Sequence, residues 1–121
     1  MTSRDRTDVP DSTSEVLLIG RLGARVEARN LPSGDSITVF TVVIDRRHRP
    51  GAPESRVTVD AISCQAFRAG VIRRLATLEP GEWVRAEGTL RRRFWRSGAG
   101  LGSAMEVEVS RLQKVSSAVR A

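Results

Sequence analysis

A chain of 121 residues has room for one compact domain, and 40% hydrophobic with 28% charged residues fits a globular protein rather than a wholly disordered one. No window approaches the roughly 20 consecutive apolar residues of a membrane helix, and no apolar core of a secretory signal follows Met1. The net charge of +6 favours polyanionic partners, and a single cysteine, Cys64, excludes both an internal disulfide and a cysteine-rich zinc site. These features together point to the cytoplasm.

Residues 1–14 are polar, mixed in charge and interrupted by Pro10, and are expected to form a disordered N-terminal arm. A first strand is expected from Glu15 through Leu22, with Gly20 a place for a bend or bulge. Leu31-Pro32-Ser33-Gly34-Asp35 is a turn, since Pro32 pre-sets φ and Gly34 tolerates a positive φ. A second strand runs from Ser36 to Asp45. Arg46 to Ser55 is a basic loop punctuated by proline and glycine, and a third strand covers about Arg56 to Phe67. Val71, Ile72, Leu75 and Leu78 then recur at helical spacing, and Glu79-Pro80-Gly81 closes that one short helix. Glu82 to Arg96 is a fourth strand, Ser97 to Ser103 a glycine-rich loop and Ala104 to Lys114 a fifth strand. Residues 115–121 form a short tail. Five strands with one helix between the third and fourth are the pattern of an OB-fold, an all-β five-stranded Greek-key barrel, over residues 15–114.

Parity along the strands separates core from surface. In the fourth strand Val84, Ala86, Gly88 and Leu90 suit a barrel interior, while Arg85, Glu87, Thr89, Arg91, Arg93 and Trp95 face outward. In the third, Ile62, Cys64 and Ala66 are the core set, and Ser63, Gln65 and Phe67 take the other side. Only five aromatic Phe and Trp side chains are present, so two on polar faces are informative. Aromatic platforms beside positive charge are what sequence-independent binding of single-stranded nucleic acid needs, each base stack contributing about 1–3 kcal/mol. The alternative puts Trp95 or Phe67 at a subunit interface or a barrel end. All cations but Lys114 are arginines, which pair with phosphate and also stack on bases. GC-rich codon usage accounts equally for arginine over lysine, but not for the excess of positive charge.

Four segments in order resemble the bacterial single-stranded DNA-binding family: the opening strand from Glu15 to Gly23, Leu31-Pro-Ser-Gly34, Cys64-Gln-Ala-Phe67, and Pro80-Gly-Glu-Trp-Val-Arg-Ala-Glu-Gly-Thr-Leu-Arg-Arg-Arg-Phe-Trp95. The resemblance spans Ser14 to about Gln113. It implies base stacking by Trp95 and Phe67 and basic contacts from Arg91 and Arg93. His48 occupies roughly the place of a further stacking tryptophan, or is an ordinary loop histidine. Arg46, Arg47 and Arg49 of the basic loop and Arg21 of the first strand complete the expected DNA-binding set. A fourth family aromatic is replaced by Ala61. The resemblance further implies single-stranded DNA as partner, roles in replication, recombination or repair, and a homotetramer, with a dimer as the alternative. Apolar residues on both parities of Val16 to Leu22 fit such pairing. Replicative members end in a long tail with an acidic tip, whereas this sequence ends Val119-Arg120-Ala121, the expectation for an accessory paralogue.

An enzyme is not expected, because one histidine in an arginine-rich loop and one core cysteine make no catalytic constellation. No cofactor, metal or small-molecule substrate is called for. The rival readings are a tail-less OB-fold accessory protein of replication restart and an RNA-binding OB module.

Overall fold

The computed structural model describes residues 11–47, 50–51 and 58–116. Its elements are β1 (Val16–Asn30), β2 (Ser36–Asp45), β3 (Val59–Ala66), α1 (Ala69–Ala76), β4 (Trp83–Ser97) and β5 (Gly100–Lys114). The strands close into a barrel in the order β1-β2-β3-β5-β4, with β4 returning to β1. All neighbours are antiparallel except β3 and β5, which run parallel over Cys64↔Val107 and Gln65↔Glu108. This is the expected OB architecture.

The turn between β1 and β2 forms as its residues dictate. Gly34 has φ 95° and donates its N–H to the Leu31 carbonyl at 2.9 Å, while the Leu31 N–H reaches the Asp35 carbonyl at 2.8 Å. The first strand, however, is longer than its apolar run. It continues past Leu22 to Asn30, and the break in alternation is a bulge: Leu22 pairs with Val42 and Val26 with Phe40, leaving three residues opposite Thr41. The irregularity therefore lies at Gly23–Arg25, not at Gly20.

Leu22, Phe40, Val42, Cys64, Val84 and Val107 anchor the core, and Val71 and Leu75 join it from α1. Parity in β5 shifts because Gly88 pairs with Val109 while Glu87 pairs with Arg111, so Ser110 is an extra residue. Val107 and Val109 point inward before it and Leu112 after it.

Two expectations for the last hairpin need correction. Val84 and Ala86 are fully buried, but Leu90 is 44% exposed rather than interior, and every β4 residue from Thr89 to Ser97 is exposed. Nor is Ser97 to Ser103 a loop. Ser97 pairs with Gly100 across the two-residue turn Gly98-Ala99, and the ladder runs unbroken from there to the Gly88–Val109 pair. The hairpin thus outlasts the barrel and projects as a two-stranded arm. At the other end of the chain, the Ser14 hydroxyl accepts a hydrogen bond from the Leu90 N–H at 3.1 Å, so contacts with the barrel begin before β1. The expected arm otherwise falls largely outside the described residues, as does most of the tail.

Candidate nucleic-acid interface

Along the outward face of β4, Arg91, Arg93 and Trp95 stand in one row, as alternation requires. Their direct partners on β5 are Glu106, Ala104 and Gly102. The two arginines are held by carboxylates: Arg91 Nε lies 2.8 Å from Glu108 and Arg93 Nε 2.9 Å from Glu106. Glu106 is buried, and its other oxygen accepts from Gln65 Nε2 at 2.8 Å. Gln65, Glu106 and Arg93 therefore tie β3, β5 and β4 together under this face.

Arg93 also touches the aromatic platform, its guanidinium carbon lying 4.9 Å from the centroid of the Trp95 ring. The indole rests against the strand beside it because Gly102 has no side chain. A Cβ there would sit 2.5–2.7 Å from Cε2, Cζ2 and Nε1 of the ring, inside any real contact distance. Trp95 keeps 40% of its surface exposed. Phe67, just past the end of β3 and 43% exposed, borders an open depression of about 460 Å³ with Gln65, Arg91, Arg92, Arg93 and Glu108. Trp95 stands four residues beyond Arg91, about 13 Å along the strand.

The structure thus brings together Phe67, Arg91, Arg93 and Trp95. Arg21 lies elsewhere, opposite Trp83 on β4, and is paired with Asp45. Twelve residues separate Trp83 from Trp95, roughly 40 Å of strand. Arg46 is engaged with Asp60 through Nε at 3.1 Å and Nη2 at 3.0 Å, and that hydrogen bonding raises its pKa further. Arg47 is exposed and has no carboxylate partner among the described residues. His48 and Arg49 lie outside the described residues. Ala61 is exposed on β3, where it supplies no ring. Cys64 is buried in the core, and desolvation, with the Glu106 charge nearby, pushes its thiol up to about 12. A thiol so protonated is a poor nucleophile.

The single-strand binding protein family has a sequence model that matches residues 13–115, nearly all of the described chain. The chain belongs to this family. A curated relative, the single-stranded DNA-binding protein of Thermotoga maritima, is 36% identical over 92 residues, which are 72% of this chain and 62% of that protein. This chain thus spans less than two thirds of that relative's length. Among solved structures, a Plasmodium falciparum SSB in complex with ssDNA superimposes with a TM-score of 0.73 over 88% of this chain and 98% of that one, at 19% identity, a likeness of fold.

In this single-strand binding family member, sequence reasoning passed over three positions. Gly102 read as part of a loop, yet it seats the Trp95 ring. Glu106 read as an ordinary strand position, yet its carboxylate locks Arg93. Phe94, 66% exposed, is the most solvent-accessible aromatic of the arm. The signal for Phe94 was present: Arg91-Arg92-Arg93-Phe94-Trp95-Arg96 carries cations on both parities, which no half-buried strand does.

Proposed function

We propose that this protein binds single-stranded DNA with little sequence preference, in replication, recombination or repair, through the face carrying Phe67, Arg91, Arg93 and Trp95. One observation carries the reading: an exposed indole in contact with an arginine, in line with a second arginine and next to an exposed phenylalanine on the same barrel face. Exposed rings offer stacking surface to any base, and the surrounding cations attract the phosphates. Family membership and the ssDNA complex of the structural neighbour support the same conclusion. The role is binding rather than catalysis, in keeping with a cysteine held protonated in the core.

Binding to oligo-dT, oligo-U and duplex DNA at one salt concentration tests the proposal. Preference for oligo-dT over duplex is expected, with affinity falling steeply as salt rises. Equal affinity for duplex and single strand refutes it, and a preference for oligo-U moves the assignment to RNA.

Assembly as a homotetramer, with a dimer as the alternative, belongs to the same proposal. Leu17 and Ile19 on the outer side of β1 are 52% and 45% exposed, although Val16 and Leu18 between and beside them pack against the core. A strand apolar on both faces is suited to cover by a second copy. Light scattering at micromolar concentration that finds only monomer removes this part. A protein of this kind acts where the DNA is, in the cytoplasm and at the nucleoid.

A further inference from the structure

The depression beside Phe67 is lined by three arginines, Arg91, Arg92 and Arg93, and by one carboxylate, Glu108. A carboxylate is out of place on a surface that is to take phosphates, because it repels them. The hairpin ladder shows what occupies it instead. On the outward face Trp95 pairs with Gly102, Arg93 with Ala104, Arg91 with Glu106 and Thr89 with Glu108. Each arginine leans one step along the ladder, away from the tryptophan, to reach an acid. Arg93 Nε donates to Glu106 Oε2 at 2.9 Å, and Arg91 Nε donates to Glu108 Oε1 at 2.8 Å.

The two pairs are not equivalent. The Glu106 side chain is 9% exposed and also accepts from Gln65, so taking Arg93 away from it leaves a buried charge uncompensated. The Arg91–Glu108 pair is open, its side chains 64% and 32% exposed, and ion pairs in such a setting hold weakly. A phosphate can take the Arg91 guanidinium from Glu108. We infer that Glu108 is an internal stand-in for phosphate, a specificity-determining residue that occupies Arg91 in the free protein and trims the part of binding that needs no bases. Duplex DNA keeps its bases stacked inside and meets this face with charge alone, one phosphate charge per about 1.7 Å of axis. A single strand brings charge and open base faces together. Cancelling a cation therefore removes what a duplex depends on and leaves the stacks on Phe67 and Trp95 intact. This inference rests on the proposed function and names a residue that limits binding rather than one that makes it.

Glu108→Gln in the full chain keeps the shape of the side chain and removes its charge. A freed Arg91 adds up to one phosphate contact, so the log–log salt slope should steepen by about 0.7 on oligo-dT and about 0.9 on duplex. Over a tenfold fall in salt, affinity relative to the parent should then rise about 5-fold for oligo-dT and about 8-fold for duplex. In an Arg91→Ala background the same substitution should alter either slope by less than half as much, because the guanidinium it would free is gone. That cycle separates this pair from a general gain of one positive charge. If Glu108→Gln binds like the parent at every salt concentration, if its gain persists in full without Arg91, or if oligo-dT gains more than duplex, the inference is wrong. A lower melting temperature with no gain in binding also overturns it, since Arg91 and Glu108 are then an ordinary cross-strand ion pair. In each of these cases the proposed function stands on the parent's own preference for oligo-dT. If the parent binds oligo-dT no better than duplex, the proposed function fails and takes this inference with it.

Discussion

Gly102→Ala puts one methyl group under the Trp95 ring and so tests whether the indole's pose matters for binding. The new Cβ would lie 2.5 Å from Cε2, 2.6 Å from Cζ2 and 2.7 Å from Nε1. Carbon–carbon contacts settle near 3.5–4.0 Å, so the ring must retreat by about 1 Å or swing off the strand. Either movement disturbs the Arg93 contact and tilts the surface offered to a base. Removing the stack entirely corresponds to about 1–3 kcal/mol, or roughly 5- to 150-fold in affinity. A displaced but intact ring should lose the lower part of that range, about 5- to 10-fold. Gly98→Ala in the same hairpin is the control, because a Cβ at Gly98 meets nothing within 4 Å. The assay is titration with oligo-dT, read both by anisotropy and by Trp95 quenching in a Trp83→Phe background whose fold has been verified. Thermal stability should change little, since alanine also reduces the freedom of the unfolded chain. Parent-like affinity together with parent-like quenching in Gly102→Ala would show that the glycine does not govern the ring, and the argument from close approach would be wrong.

Trp95→Ala should cost about 1–3 kcal/mol of oligo-dT binding and leave the salt slope nearly unchanged, because it removes a ring and no charge. Arg93→Ala should flatten that slope by less than the roughly 0.7 of a full phosphate contact, since Glu106 already shares its guanidinium; a drop of a full unit or more refutes the shared-charge reading. The Cys64 thiol, raised from 9.0 to about 12, favours the folded state fully below pH 9. That contribution is lost as pH rises from about 9 through 12, because only the unfolded chain releases the proton there. Urea midpoints across this range, with Cys64→Ala as the comparison, should show a decline in the parent that the variant lacks. Leu22→Ala, at a side chain only 2% exposed, should destabilise the fold by about 2–5 kcal/mol, read as a lower urea midpoint at constant m-value.

The barrel was legible because strand order, one helix and the Pro32–Gly34 turn are all local signals that agree with one topology. What escaped reading was set by partners distant in sequence. Residues Gly23 to Asn30 alternate Ala24, Val26 and Ala28 with Arg25, Glu27 and Arg29, a period of two, but with one large apolar side chain, Val26, that signal is weak, and pairing with β2 across the bulge is what makes the strand. Gly100 and Gly102 disfavour strand by propensity and are overridden by the ladder to β4. Leu90 had the correct parity for the core, but parity cannot say where along a strand the barrel ends. At the site, alternation alone sorted Arg91, Arg93 and Trp95 onto one face. Which arginines are neutralised depends on Glu106, Glu108, Asp45 and Asp60, each brought in by a neighbouring strand, and no spacing rule within one strand reveals that.

The parallel seam between β3 and β5 has the shortest ladder in the wall, two residue pairs against fourteen along β4 and β5. Backbone pairing alone stitches that joint weakly. The Gln65–Glu106–Arg93 side-chain chain spans it on the outside, and Cys64 and Val107 fill it from within. A nucleic-acid strand laid from Phe67 toward Trp95 crosses this joint from one rim to the other. In the proposed mode the ligand is therefore also a splint, fastened over the place where the cylinder opens most readily. Its binding energy enters the stability of the barrel directly, by mass action on the closed state. Amide exchange around Cys64, Gln65 and Val107 should slow more on loading than exchange from Ile19 to Arg21, which pair with the Trp83 end of β4, far along the strand from Trp95.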